Sequence, residues 1–201
     1  MNPRPIVHVV DDEADVRDVV AKLVESVGLT ARVFSSAQDF LASYDGSRPG
    51  CVVLDVRMPG MTGIEALTRF AERNIRLPVI MLTGYGDVPT AVRSLKRGAV
   101  DFIQKPFDYR RALDIIRGAF ERDAEIRARG TRRAGLAARL ASLTEREREV
   151  LERVIAGKPN KVIAGELAIS VKTVEVHRAK VMEKSGVASV AELVQLMLQR
   201  D

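Results

Sequence analysis

Apolar positions fall into two regimes along this chain. Up to about residue 119 they form short continuous runs: IVHVV, ARVF, CVVL, VIML and DFIQ, beginning at Ile6, Ala31, Cys51, Val79 and Asp101. Between these runs lie ADVRDVVAKLVESVG, SAQDFLASY, GIEALTRFAER, PTAVRSLKRG and DYRRALDIIRGAF, whose apolar residues recur near helical spacing. Runs of four or five apolar residues bounded by turn signals read as buried strands, and stripes at that spacing read as amphipathic helices. Gly28 and Gly98 follow helical stretches, where a left-handed cap is expected. Five strands alternating with five helices predict an α/β unit, a doubly wound five-stranded parallel sheet.

The pattern then changes. Glu121 to Ser142, ERDAEIRARGTRRAGLAARLAS, is rich in Arg and Ala, with little apolar periodicity after its first turns. It predicts a continuation of the preceding helix that gives way to a linker. Beyond it come helices without strands. LTEREREVLERVIAG opens on a capping box, Thr144 with Glu147, and stops at Gly157. NKVIAGELAIS and VKTVEVHRAKVMEKSG outline a helix-turn-helix, with a turn near Ile169 and Ser170 placed to cap the second helix. SVAELVQLMLQR closes the chain. The predicted organisation is residues 1–122, a linker over 123–139, and an all-α unit over 140–201.

Composition narrows the setting. No stretch approaches the roughly 20 apolar residues of a membrane span, and the N-terminus lacks the pattern of a secretory signal. The lone Cys51 sits in an apolar run and reads as a buried structural thiol. A reducing cytoplasm and no membrane partner are expected. Residues 1–120 carry 16 Lys and Arg against 15 Asp and Glu, whereas residues 121–201 carry 16 against 12. Most of the net +5 therefore belongs to the C-terminal part, a hint of a polyanionic partner.

Chemistry is concentrated where the runs end. IVHVV leads to Asp11 and Asp12, CVVL to Asp55, VIML to Thr83, and DFIQ to Lys105. In a parallel sheet these ends share one edge, the edge where open α/β sheets bind ligands. Three carboxylates close together call for a cation. With only oxygen donors and no His or Cys cluster, a hard divalent ion such as Mg²⁺ or Mn²⁺ fits. The ion, Lys105 and Thr83 then form an electrophilic cradle for a phosphoryl group, and Asp55 is the candidate carboxylate nucleophile. His8, inside the first run, reads as a core or sheet residue.

On a helical wheel from Ser170, Val174, Val181 and Ser185 share one side. Lys172, Val176, Ala179 and Glu183 share the other, flanked by Glu175 and Lys180. That outer face suits a major groove. Lys172, Lys180 and Lys161 would reach phosphates, Glu175 a cytosine amino group, and Val176 and Ala179 thymine methyls, with Thr173 on the same helix end. The wheel alone fits a solvated helix of a bundle equally well.

VVDDEADVR, VVLDVRMPGMTG, MLTGYGDVPTAV and AVDFIQKPF resemble the receiver domain of two-component response regulators. LTEREREVL, GKPNKVIA, LAISVKTVEVHR and MEKSG resemble the DNA-binding domain of LuxR/FixJ-type regulators, and together they place the whole chain with FixJ-type response regulators. The resemblance implies a flavodoxin-like receiver in which Asp55 accepts phosphate from a sensor histidine kinase. Asp11, Asp12, Asp55 and the backbone carbonyl of Arg57 would hold the metal, and Thr83 and Lys105 would hold phosphoryl oxygens. It also implies a cis Lys105–Pro106 bond and a switch aromatic at Phe102. Val92, Lys96, Arg111 and Asp114 would meet their counterparts in a phosphorylated homodimer. The last helix would pair two DNA-binding domains, unless Leu193, Val194 and Leu196 complete that domain's own core. The implied function is transcription control through double-stranded promoter DNA and RNA polymerase. Two rivals differ in class. An aspartate-dependent phosphatase of the haloacid-dehalogenase type needs an acid two residues after the nucleophile, where Arg57 stands. A constitutive DNA-binding protein with a silent receiver has no use for the complete Asp11, Asp12, Asp55, Thr83 and Lys105 set.

Overall fold

A computed structural model describes residues 4–84 and 88–198, the side chains of residues 88–91 and 198 excepted. The chain divides into two compact units, Met1–Arg127 and Ala128–Asp201.

In the first unit β1 (Ile6–Val10), β2 (Thr30–Phe34), β3 (Gly50–Asp55), β4 (Val79–Thr83) and β5 (Asp101–Gln104) form one sheet in the order β2-β1-β3-β4-β5. Every pairing is parallel. The crossovers are α1 (Ala14–Ser26), α2 (Ala37–Ser43), α3 (Gly63–Glu72) and α4 (Val88–Lys96), with α5 (Tyr109–Ala141) following β5. β1, β3 and β4 are buried along their whole length, which is why they read as uninterrupted apolar runs. Alternate strand residues feed two cores. Val7, Val9, Val53 and Ile80 meet Val20 and Val24 of α1 and Ile116 of α5. Val10, Val52, Leu54 and Met81 meet Phe40 of α2 and Phe70 of α3. The doubly wound parallel sheet predicted from the periodicity is the fold observed. Cys51 is fully buried and free, and burial pushes its thiol up, as expected of a structural cysteine.

His8 is also in the core, 4% exposed, and it is not satisfied as a core histidine usually is. Its ring stands 5.9 Å from Phe34, 5.3 Å from Phe40 and 6.0 Å from Tyr44, and Nδ1 has no hydrogen-bond partner among the described residues. Burial foremost, and then Arg32 on the neighbouring strand, lower its pKa to about 4.

The stretch expected to turn into a linker is helical throughout: α5 runs unbroken over 33 residues. Ala, Arg, Glu and Leu favour a helix enough to carry Gly130 and Gly135, which cost about 1 kcal/mol each. Packing does the rest. The buried Asp123 carboxylate accepts from the Gly50 amide at 3.0 Å and from Arg127 Nε at 2.9 Å. Leu136 is buried with Leu143, Leu151, Val181 and Leu193. An Arg-rich segment with scattered apolar residues hides these two anchor points from a periodicity count.

The second unit contains α6 (Glu145–Ile155), α7 (Asn160–Leu167), α8 (Val171–Ser185) and α9 (Val190–Leu198). The predicted capping box closes α6, with Thr144 Oγ1 accepting from the Glu147 amide and Glu147 accepting from the Thr144 amide. Lys184 Nζ meets the same buried Glu147 carboxylate at 2.6 Å and holds its pKa down, so one residue joins the start of α6 to the end of α8. α7 ends on Ala168 in the left-handed region, φ 53°, and Ser170 then caps α8 by accepting from the Thr173 amide at 3.0 Å.

Candidate functional site

The carboxyl ends of β1, β3, β4 and β5 gather a polar cluster. Asp11 follows β1 and is fully buried; Asp55 closes β3 and Thr83 closes β4, both nearly buried. Lys105 follows β5, with its amide bonded to the Thr83 carbonyl at 2.7 Å. Its ammonium stands 2.8 Å from Asp11 Oδ2, 2.8 Å from Asp55 Oδ1 and 3.2 Å from Glu13 Oε1. Asp11 Oδ1 accepts from the Glu13 amide at 2.9 Å, and Asp55 Oδ2 accepts a short bond from the Arg57 amide. Burial raises the Asp55 carboxyl pKa against the Lys105 hydrogen bond, which lowers it. Burial acts on Lys105 in the opposite sense, but its bonds to Asp11 and Asp55 outweigh it and keep the ammonium protonated.

Gly63 lets this edge close. It opens α3 with its amide on the Val56 carbonyl, and a Cβ there would stand 2.2 Å from the Asp55 carbonyl oxygen. The Thr62–Glu65 capping box then fixes the first turn of α3.

The three expected carboxylates do not all converge. Asp11 points inward to Lys105, while its neighbour Asp12 is exposed, as side-chain alternation at a strand end dictates. Among the described residues no three acidic, His or Cys side chains form a metal-binding group. The acid that joins Asp11 and Asp55 on the ammonium is instead Glu13. The sequence carries a signal for it, the third acid of DDE, but a carboxylate beside a pair reads as part of the following helix turn. Arg57 and Pro106 are exposed, the Lys105–Pro106 bond is cis, and Phe102 is half-buried against the core beneath α2 and α3. Val92, Lys96, Arg111 and Asp114 are exposed on α4 and α5, with Asp114 paired to Arg117 of its own helix. Residues 85–87 of the TGYGDVPTAV block lie outside the described residues.

In the second unit Val174, Val181 and Ser185 are buried, the side of the wheel predicted to face inward. Lys161, Lys172, Glu175, Val176, Ala179 and Lys180 are exposed, and Thr173 is half-buried with its hydroxyl 2.7 Å from that of Ser170. Arg178, whose role the sequence left open, bonds Asn160 Oδ1 at 2.8 Å and ties α8 to the start of α7. Leu193 is fully buried in the unit's own core, Leu196 packs against it, and Val194 is half-buried.

An acid-and-lysine cluster at the carboxyl edge of a parallel sheet, followed by a helix-turn-helix unit, defines a two-component response regulator that acts on DNA. Residues 7–117 match the response regulator receiver domain family, and residues 141–197 match the bacterial regulatory proteins of the luxR family. The chain belongs to the response regulators that join these two domains, and it is a phosphorylation-dependent transcription factor. It is 46% identical to the transcriptional regulatory protein FixJ of Bradyrhizobium diazoefficiens, over 99% of this chain and 97% of that protein. It is 40% identical to the response regulator protein TodT of Pseudomonas putida, over 95% of this chain and 84% of that one. Among solved structures it resembles the response regulator StyR, with a TM-score of 0.77 and 40% identity, over 98% of this chain and all of that one. It also resembles full-length FixJ from B. japonicum, with a TM-score of 0.60 and 43% identity, over 98% of this chain and 97% of that one. The two domains imply a histidine kinase and DNA as partners, and no helix among the described residues is long and apolar enough to cross a membrane.

Proposed function

We propose that Asp55 is the phosphoacceptor, on the strength of one observation: it is a buried carboxylate sharing the Lys105 ammonium with the buried Asp11. The transfer is a displacement at phosphorus. An Asp55 oxygen attacks the phosphohistidine of the kinase, and the P–N bond breaks as the P–O bond forms. The imidazole leaves with the electron pair and takes a proton. Lys105 then moves one of its bonds to a phosphoryl oxygen, and Thr83 donates to another.

The donor set suits a divalent ion. Asp11, Asp55 and Glu13 put three carboxylates on one ammonium, an excess of negative charge with Asp11 and Asp55 buried and Glu13 at the rim, and every available donor is a hard oxygen. Asp11, Asp55, Asp12 and the Arg57 carbonyl would hold Mg²⁺ or Mn²⁺, which neutralises charge on the transferring group. Phosphorylation adds roughly two negative charges; Thr83 shifts toward them and Phe102 turns into the space it leaves. The α4–α5 face with Val92, Lys96, Arg111 and Asp114 then pairs two chains.

The proposed domains are a receiver over 1–122, a connecting segment over 123–139 and a DNA-binding domain over 140–201. Lys161, Lys172, Thr173, Glu175, Val176, Ala179 and Lys180 meet a two-fold promoter site in the cytoplasm, and the bound dimer engages RNA polymerase. The chain turns over no separate substrate; the aspartyl-phosphate is lost only by slow hydrolysis. The test is intact mass after incubation with Mg²⁺ and a small-molecule phosphodonor. One phosphoryl adduct is expected in the wild type, lost on chelation and in Asp55→Asn. An adduct that persists in Asp55→Asn refutes the assignment.

A further inference from the structure

One polar group on α8 is used neither by the core nor by the caps. His177 is half-buried, and its Nδ1 is enclosed with no hydrogen-bond partner among the described residues. Its Nε2 is not enclosed, and among the described residues it makes no hydrogen bond either. The ring therefore stands with Nδ1 turned inward and Nε2 reaching the surface.

The helix places that outer nitrogen on a flank of the reading face. His177 lies one turn from Thr173 and from Lys180, between the buried side with Val174 and Val181 and the exposed side with Val176. Two polar neighbours on this flank are engaged within the unit: Thr173 Oγ1 meets the Ser170 hydroxyl, and Lys184 is turned to Glu147. Lys180 is exposed and makes no ion pair among the described residues. Lys180 and the His177 Nε2 are thus the groups that this flank turns outward, and a flank of a helix in the major groove meets the groove wall, where phosphate oxygens lie, rather than base edges.

The enclosed nitrogen decides which atom carries the proton. A neutral imidazole has one N–H and one acceptor nitrogen. A proton on Nδ1 would bury a donor without an acceptor, a costly arrangement that folded proteins rarely show, and a ring with both protons would bury the same orphan. The N–H therefore belongs on Nε2, the atom that faces outward.

We infer that His177 is a DNA-backbone contact whose neutral imidazole donates its Nε2–H to a phosphate oxygen beside Lys180. This rests on the reading above that α8 enters the groove. The contact reads no base and carries no charge, so it adds affinity alike at every sequence and displaces no counterion.

The experiment is fluorescence anisotropy of the full-length chain on a labelled random-sequence duplex at several salt concentrations, with thermal melts to verify folding. His177→Phe keeps the ring and removes the donor, and it is expected to weaken binding about tenfold, as for a hydrogen bond to a charged acceptor. His177→Gln, whose amide nitrogen reaches the place of Nε2, is expected to stay within about twofold of wild type. Both should keep the wild-type log–log salt slope, whereas Lys180→Ala should lower it by about 1. Wild-type affinity in folded His177→Phe overturns the inference. So does a salt slope lowered by about 1 in that variant, which marks a charged imidazolium, and so do equal losses in the Phe and Gln variants, which mark packing alone. If His177→Phe does not fold, the imidazole nitrogen chemical shifts of wild type on the duplex decide, assigned by their loss in His177→Gln: the Nε2-protonated tautomer supports the contact, and a proton on Nδ1 overturns it. If Lys172→Ala and Lys180→Ala both leave affinity and slope unchanged, α8 is not in the groove and this inference falls with that reading.

Discussion

Acidification should destabilise the first unit through His8, and the size of the effect follows from where that ring sits. The imidazole is enclosed by Phe34, Phe40 and Tyr44, with Arg32 beside it in the sheet and Asp45 the nearby charge that favours protonation. Its pKa in the fold is about 4, against 6.5 for a free side chain. The unfolded chain therefore takes up a proton below about pH 6.5 that the folded chain refuses until about pH 4. Stability from this source is present above pH 6.5, is lost as pH falls through 6.5 toward 4, and levels off only below pH 4, where both states are protonated. At 1.36 kcal/mol for each tenfold difference in proton affinity, the loss reaches about 2 kcal/mol at pH 5 and about 3 kcal/mol at pH 4. The ring is nearly inaccessible, so solvent screening does not discount it.

His8→Leu removes the titration and also the unpartnered Nδ1, whose burial costs on the order of 1–3 kcal/mol. The variant should be at least as stable as wild type at pH 7.5, and its advantage should widen by about 2 kcal/mol at pH 5. Carboxylates that titrate in the same range are common to both proteins and cancel in the difference. The assay is urea unfolding at several pH values, followed through hydrogen exchange of the β1 amides. It is joined to an NMR titration of the imidazole signals, which are easily assigned because the chain has two histidines. A His8 signal that titrates between pH 6 and 7 in the folded protein, or identical pH dependence in wild type and variant, would refute the reasoning.

Three further outcomes are expected. Gly63→Ala places a methyl against the Asp55 carbonyl; it should destabilise the first unit by about 3 kcal/mol and abolish the phosphoryl adduct, as thermal melts and intact mass will read. Leu193→Ala should cost the second unit about 2–5 kcal/mol in denaturant at concentrations where the chain is monomeric. A loss seen only in dimers would mean that Leu193 acts mainly between chains. Lys172→Ala should weaken DNA binding by a similar factor at every sequence and lower the log–log salt slope by about 1, and an unchanged slope in a fluorescence-anisotropy titration would remove Lys172 from the phosphate contacts.

How much of this was visible in the letters follows from which interactions are local. The strands announced themselves because both faces of β1, β3 and β4 are covered, leaving no polar alternation to dilute the signal. Asp55, Thr83 and Lys105 could be paired in advance because a parallel sheet sends every strand end to one edge. The caps at Thr144 and Ser170 were legible for the same reason, since donor and acceptor lie three residues apart.

What the letters hid were choices made by a side chain with several partners in reach. Glu13 is the N-cap of α1 and could have closed that helix, yet it turns to Lys105. Arg17 looks like any exposed charge on a helix until its bonds to the Asp11 and Asp12 carbonyls are seen. His8 was recognisable as a core residue, but its missing hydrogen bond depends on rings supplied by β2 and α2, far along the chain. The unbroken α5 belongs here too, because Asp123 is anchored by the Gly50 amide and Leu136 by residues of α6, α8 and α9. In each case the sequence determines the residue type, while the geometry is decided by which long-range partner offers the stronger bond. The acid pair itself shows the division: DD marks the site, but its two members face different surroundings, one buried and fixed by Lys105 and the other exposed.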